Sequence, residues 1–159
     1  MLNKPSEFTA KSLYIAGFAQ ARAPHQALII PSDTQSGTIV HIRIDRATAP
    51  TWAYQSRVQK IEGDMFLSSL LKIHDISAGE ITVDQLQQAG SVVPVPDNDE
   101  FGECGPWVCK VVEKLHEMGL VQLEDIEELR KEFSEFAAGN KAFARRDRFP
   151  NVSVSKFCT

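Results

Sequence analysis

The chain has 159 residues, of which 43% are hydrophobic, and this length and composition suit one domain with a single sizeable core. They exclude a disordered chain. Lys and Arg number 17 against 21 Asp and Glu, so the formal net charge is −4 and a general electrostatic basis for binding nucleic acid is missing. The longest apolar runs are far shorter than the roughly 20 residues that a membrane-spanning helix requires.

The N-terminal residues and the cysteines indicate a reducing compartment. Residues 1–7 have no apolar block followed by small residues, so we expect no secretory signal and a cytoplasmic location. Cys104, Cys109 and Cys158 form an odd set without a C-x-x-C pair, which indicates free thiols. Neither their spacing nor the acidic residues 97–100 match a zinc or calcium site, so no metal or other cofactor is expected.

The first half of the chain contains β-type runs separated by turn residues, which predicts a meander of antiparallel strands. In the third run Val40 and Ile42 alternate with His41 and Arg43, so we expect a half-exposed strand with His41 on its polar face. The apolar spacing of the fifth run also fits a helix. The predicted strands cover residues 11–20, 25–30, 38–45, 52–62 and 67–76.

Beyond residue 80 the apolar residues recur at helical spacing, and capping residues divide this part into three helices. The residues that begin and end them are Thr82, Gln85 and Gly90 for the first, Pro106 and Gly119 for the second, and Leu123 and Gly139 for the third.

Strands followed by helices predict a single α+β domain over residues 1–159, with an antiparallel sheet packed against the helices. We expect its core within about residues 11–140. The remaining tail, residues 141–159, carries Arg145, Arg146 and Arg148 and is expected to be loosely held.

Cys104 is the strongest candidate for chemistry because Pro106 suits the first turn of a helix and therefore places the thiol at a helix N-terminus. Unpaired backbone N–H groups at such a position favour the thiolate, so a lowered pKa is expected. A cysteine nucleophile also needs a base, and His25 and His41 lie near the open end of the predicted hairpin of the second and third strands.

Each of these residues also has a simpler interpretation. Cys104 alone is typical of a small buried hydrophobic residue. His41 fits one polar position on an exposed strand face. His25, at the start of a strand, fits a residue whose side chain hydrogen-bonds within the preceding turn. Trp52 and Trp107 are expected in the core.

A strand that opens with His25, a second strand that bears His41, and a later helix start at Cys104 form an ordered set of motifs. The set resembles the circularly permuted NlpC-like branch of the papain-like thiol enzymes, which includes lecithin:retinol acyltransferase-like and PPPDE-type proteins, and within it a group of small fungal proteins. It spans roughly residues 11–120, and its order and spacing are specific only together. The stretches that carry it are Pro24-His25-Gln26-Ala27-Leu28-Ile29-Ile30-Pro31, Val40-His41, Thr51-Trp52-Ala53-Tyr54, Val93-Pro94-Val95 and Cys104-Gly105-Pro106-Trp107-Val108.

The resemblance implies a permuted papain-like fold and a thiol hydrolase or acyltransferase that needs no cofactor. It assigns Cys104 as the nucleophile, His25 as the general base and His41 as the residue that holds the imidazole. The implied substrate is a small-molecule or peptide acyl compound, handled by an amidase, peptidase, thioesterase, acyltransferase or cyclase. Relatives usually have Asn where this chain has Glu103, which raises the pKa of the thiol if it points inward. The alternative is a non-catalytic module of the same fold that binds a small molecule or a protein.

Overall fold

The alternating first half of the sequence forms five strands, as its turn residues and apolar pattern predict. The computed structural model describes residues 4–159; residues 1–3, part of the segment in which no secretory signal is expected, lie outside the described residues. The fifth run forms a strand rather than a helix. The strands are β1 (Leu13–Phe18), β2 (His25–Pro31), β3 (Ser36–Arg43), β4 (Ala53–Lys60) and β5 (Leu67–His74).

Three helices follow near the expected residues, but the prediction that Gly90 ends the first was wrong, because that helix continues two residues beyond it. Helix α1 (Val83–Val92) begins with the capping box in which Thr82 and Gln85 bond each other's backbone N–H groups. Helix α2 (Cys104–Glu117) begins at Cys104 itself, two residues before Pro106. Helix α3 (Ile126–Ala138) is capped by the Asp125 carboxylate. Short 3₁₀ turns lie at Ile76–Ala78 and Lys141–Phe143.

The C-terminal residues add a sixth strand, so the prediction of a loosely held tail was wrong. Strand β6 (Asn151–Val154) pairs in parallel with β5, and Val152 is 7% exposed. The backbones of Cys158 and Leu123 also pair in an isolated antiparallel β-bridge. The sheet has the order β4-β3-β2-β1-β5-β6 and is mixed rather than purely antiparallel, while the α+β class is confirmed.

Both faces of the sheet are covered, and this changes the surroundings of β3. One face packs against the three helices through residues such as Leu28 and Val40. The other face carries a second apolar cluster that contains Ile39 and is covered by Phe8 and Phe149. The expectation of a half-exposed β3 was therefore wrong at its centre, because Ile39 on its second face belongs to this second cluster and is fully buried.

Within residues 4–159, the helices are all too short or too polar to cross a lipid bilayer.

Candidate functional site

The hairpin of β2 and β3 brings His25 and His41 together, as the sequence predicts. Its register pairs Leu28 with Val40, and His25 is the first residue of β2. The Nε2 atom of His25 lies 2.7 Å from Nδ1 of His41, and the two rings meet edge to face. His41 is only 3% exposed, so its position on a solvated strand face is corrected to a buried one.

The hydrogen bonds around His41 determine which nitrogen of each ring carries a proton. The Oε1 atom of Gln55 accepts from Nε of Arg57 at 3.1 Å, and a guanidinium is always a donor. The same oxygen lies 2.8 Å from Nε2 of His41, so that nitrogen carries a hydrogen. In the neutral ring Nδ1 of His41 then accepts from Nε2 of His25, which leaves Nδ1 of His25 with a free lone pair.

Both imidazoles are held neutral near pH 7. Burial, together with the smaller effects of the neighbouring His41, Arg57 and Arg43, lowers the pKa of His25 from 6.5 to about 4. Burial likewise lowers the pKa of His41 to about 4, partly offset by its hydrogen bond to Gln55. Neutral rings are consistent with the hydrogen-bond assignment above.

Cys104 is the first residue of α2, which agrees with the predicted position, but its protonation does not follow the expectation. The residue is only 8% exposed, and burial raises the pKa of the thiol. Hydrogen bonds from the backbone of Gln26, Gly105 and Cys104 lower it in part. The expected lowered pKa is therefore corrected, because desolvation of the sulfur exceeds the effect of the helix N-terminus. Glu103 precedes the helix without a side-chain bond to its backbone.

Gly105 allows β2 to approach the start of α2 closely. A Cβ atom at this position would lie 2.7 Å from Nε2 of Gln26. The Gln26 amide therefore lies directly against the first turn of the helix. Pro106 has no N–H, and the N–H of Trp107 bonds the carbonyl of Glu103, so the N–H groups of this turn that face the Cys104 sulfur are those of Cys104 and Gly105.

Cys104 and His25 border one cavity of about 240 Å³, which we call the smaller cavity. Side chains alternate along a strand, so His25 and His41 belong to the face opposite the helices, whereas Cys104 lies on the helix side. His25 meets the cavity because it stands at the end of β2. Among residues 4–159, no hydrogen bond joins the Cys104 thiol to either imidazole.

A second cavity of about 770 Å³, the larger cavity, lies on the other side of His25. Both imidazoles border it, together with Arg43 and Arg57. Gln20, His25 and Trp52 border both cavities, so the two spaces meet at these residues. Trp52 was expected in the core; it is half-buried and its indole N–H donates to the carbonyl of Glu100. The acidic loop is thereby attached to the cavity wall.

Sequence reasoning missed Gln55, Arg57 and Gln26. The i, i+2 spacing of Gln55 and Arg57 placed them on one face of a predicted strand, but the pattern of β4 did not reveal its register with β3. Trp107 does lie in the core, at 2% exposure.

The other histidines have local structural partners: His74 bonds the carbonyl of Gly79, and His116 accepts from the N–H of Leu123. Residues 4–159 contain no group of three or more His, Cys, Asp or Glu side chains arranged to hold a metal ion.

Comparisons with known proteins found no matching family model, no matching curated protein and no matching solved structure. The resemblance to the permuted NlpC-like thiol enzymes therefore stays a prediction that rests on the motifs of this chain.

Proposed function

We propose that this protein is a thiol enzyme that transfers acyl groups through a covalent Cys104 intermediate, with the permuted papain-like arrangement that its motifs resemble. The observation that carries the proposal is that Cys104, at the first residue of α2, borders the same cavity as His25, whose ring is oriented by His41. A nucleophile, a base and a group that orients the base are the parts that such chemistry requires.

In the proposed reaction Nδ1 of His25 takes the proton of the Cys104 thiol as the sulfur attacks the carbonyl of an ester, thioester or amide. In this proposal the Cys104 and Gly105 N–H groups and the side-chain amide of Gln26 stabilise the oxyanion, and each such donor is typically worth about 3–4 kcal/mol. The protonated His25 then donates to the leaving group, which departs and leaves an acyl-enzyme. Water or another nucleophile releases the acyl group, which gives a hydrolase, an acyltransferase or a cyclase.

A second candidate function is a non-catalytic binding module. It is favoured by the burial of the Cys104 thiol, which raises its pKa, and by the lack of a thiol–imidazole hydrogen bond within residues 4–159. In this alternative the two cavities bind a small molecule without covalent chemistry.

Acylation by a neutral p-nitrophenyl ester distinguishes the two functions. We expect wild-type protein near pH 7.5 to release p-nitrophenol and to gain one acyl group on Cys104, detected by peptide mass spectrometry. Cys109 and Cys158 should stay unmodified because burial raises their pKa values to about 11 and about 12. His25→Ala should slow the acylation by about 100-fold, as expected for the loss of a general base.

His116→Gln is the matched control, since His116 lies outside both cavities, and it should acylate like the wild type. If folded wild-type protein neither releases p-nitrophenol nor gains a Cys104 adduct, or if His25→Ala reacts as fast as the wild type, the proposed enzyme is excluded and the binding module is favoured.

A further inference from the structure

Two arginines border the larger cavity beside the imidazole pair. Arg43 is the last residue of β3, and extension of the β2–β3 register places it opposite His25. Arg57 lies on β4, opposite Ile39, on the same face of the sheet. The positive charges of both arginines lower the pKa values of His25 and His41, so the four side chains are close enough to interact electrostatically.

Among residues 4–159, no acidic side chain forms a salt bridge with either arginine. The salt bridges within residues 4–159 involve Lys72, Arg130 and Arg145, and no Asp or Glu of that range borders the larger cavity. The charge of Asp64 acts on Arg57 without a salt bridge, and the Asp64 carboxylate accepts from the backbone N–H groups of Phe66 and Leu67.

Arg57 is exposed, yet its guanidinium is oriented by three hydrogen bonds. Its Nε donates to Gln55 at 3.1 Å, and its Nη1 donates to the carbonyl of Val58 at 3.2 Å and to Oε1 of Gln59 at 2.8 Å. These bonds use the Nε–H and both hydrogens of Nη1. The two hydrogens of Nη2 have no acceptor within residues 4–159, and an oriented guanidinium with free N–H groups is suited to a carboxylate or a phosphate.

The rest of the larger cavity is largely apolar. Phe18, Ile44, Trp52 and Phe66 border it, and Phe66 is 54% exposed. A volume of about 770 Å³ falls within the range of small-molecule sites. An apolar wall with two cationic groups at one side suits a compound that has an apolar body and one anionic group.

We propose that Arg43 and Arg57 form a subsite for the carboxylate or phosphate of a small amphipathic acyl substrate, whose body lies in the larger cavity and whose acyl carbonyl reaches Cys104 past His25. The identification of this ligand as a substrate rests on the proposed acyl-transfer function, whereas the binding of the anion does not.

Occupation of this subsite has a chemical consequence for His25. A bound anion offsets the two positive charges that oppose protonation of the imidazoles. A substrate that carries the anion therefore makes His25 a better acceptor for the Cys104 proton than it is in the empty site. The subsite selects the substrate and also assists the proton transfer.

Binding of three probes with one shared body tests the subsite, with Cys104→Ala as the background so that no chemistry intervenes. The probes are 4-phenylbutanoate, 4-phenylbutanamide and 3-phenylpropyl phosphate, titrated by calorimetry near pH 7. We expect at least one of the two anions to bind about tenfold more tightly than the neutral amide, as charge-assisted hydrogen bonds imply. Which anion binds better distinguishes a carboxylate substrate from a phosphate substrate.

Arg43→Gln and Arg57→Gln, added singly, should each remove most of the preference for the anion and leave amide binding unchanged. Arg43→Gln is the decisive variant, because within residues 4–159 the Arg43 side chain takes part in no hydrogen bond or salt bridge, unlike that of Arg57. Arg46→Gln is the control, since Arg46 is exposed and does not border the cavity.

Equal affinity for the three probes, or an unchanged preference in folded Arg43→Gln, would overturn the subsite. The result is separable from the proposed function: anion binding without any Cys104 adduct retains the subsite in a binding module, whereas Cys104 acylation without anion preference retains the enzyme and removes the subsite.

Discussion

His41 is buried although it occupies the polar side of an alternating strand pattern. Alternation separates the two faces of a strand, but it does not say whether something else covers the second face. The sequence placed His25 and His41 near each other correctly because a hairpin with a short connection limits their register. It did not show that Gln55 and Arg57 on the next strand continue their hydrogen-bond chain.

Gln55 should set the protonation of His41, and Gln55→Glu tests this. The substitution keeps the length of the side chain and places a negative charge beside Nε2 of His41. Because a carboxylate favours imidazolium, we expect the pKa of His41 to rise from about 4 by about one unit or more. The measurement is an NMR pH titration of the histidine Cε1–H signals.

Gln88→Glu is the matched control, because Gln88 is exposed on α1 and borders neither cavity. It should leave the titration of His25 and His41 unchanged. A His41 titration in Gln55→Glu that matches the wild type would mean that Gln55 does not hold this ring in solution.

At the scale of elements, the β2–β3 hairpin follows directly from the sequence, and Gly37 shows why its geometry is tight. A Cβ atom at this position would lie 2.6 Å from the carbonyl oxygen of Ile30 and 2.6 Å from Cα of Pro31. Backbone atoms cannot move aside as a flexible side chain does, so glycine is required where the strands approach each other. This close pairing contributes to the register that joins His25 to His41.

Strand β6 was not predicted because four residues are too few for a clear periodic pattern, and its partner β5 is distant in the sequence. The preceding arginines also resemble a solvated terminus. Asn140 supports the strand: its amide donates to Ser69 of β5, and its carbonyl accepts from Asn151.

Val152→Ala should reveal the contribution of β6 to stability. Val152 is 7% exposed within the second apolar cluster, so loss of its two methyl groups should lower the free energy of unfolding by about 1–2 kcal/mol. Val154→Ala is the matched control on the same strand, since Val154 is 48% exposed, and it should change stability by less than about 0.5 kcal/mol. Urea denaturation measures both; equal effects would mean that β6 does not pack in solution as described.

At the scale of the whole molecule, burial of two neutral imidazoles makes stability depend on pH. In the unfolded chain each histidine takes up a proton near its ordinary pKa of 6.5, whereas in the folded chain His25 and His41 do so only near about 4. Between these values the unfolded state binds more protons, so the free energy of unfolding falls as the pH falls from about 6.5 to about 4. One ring contributes up to about 3 kcal/mol, and the coupled pair less than twice that.

Urea denaturation at pH values across this window measures the effect. His41→Asn should make the loss of stability toward low pH clearly smaller, because one of the two buried titrating groups is removed. His116→Gln should keep the full dependence, since His116 is exposed. A wild-type protein whose stability is constant between about pH 6.5 and pH 4 would contradict the burial of neutral imidazoles.

The sequence by itself determined the features that depend on neighbouring residues: the strand alternation, the helix caps, the hairpin that joins His25 to His41 and the position of Cys104 at a helix start. Only the tertiary structure decided the features that depend on what packs over them. These are the cover on the second sheet face, the raised pKa of the Cys104 thiol, the alignment of Gln55 and Arg57 with the imidazole pair and the parallel strand β6. Local patterns arise from backbone geometry within a few residues, whereas desolvation and strand register depend on segments that are far apart in the chain.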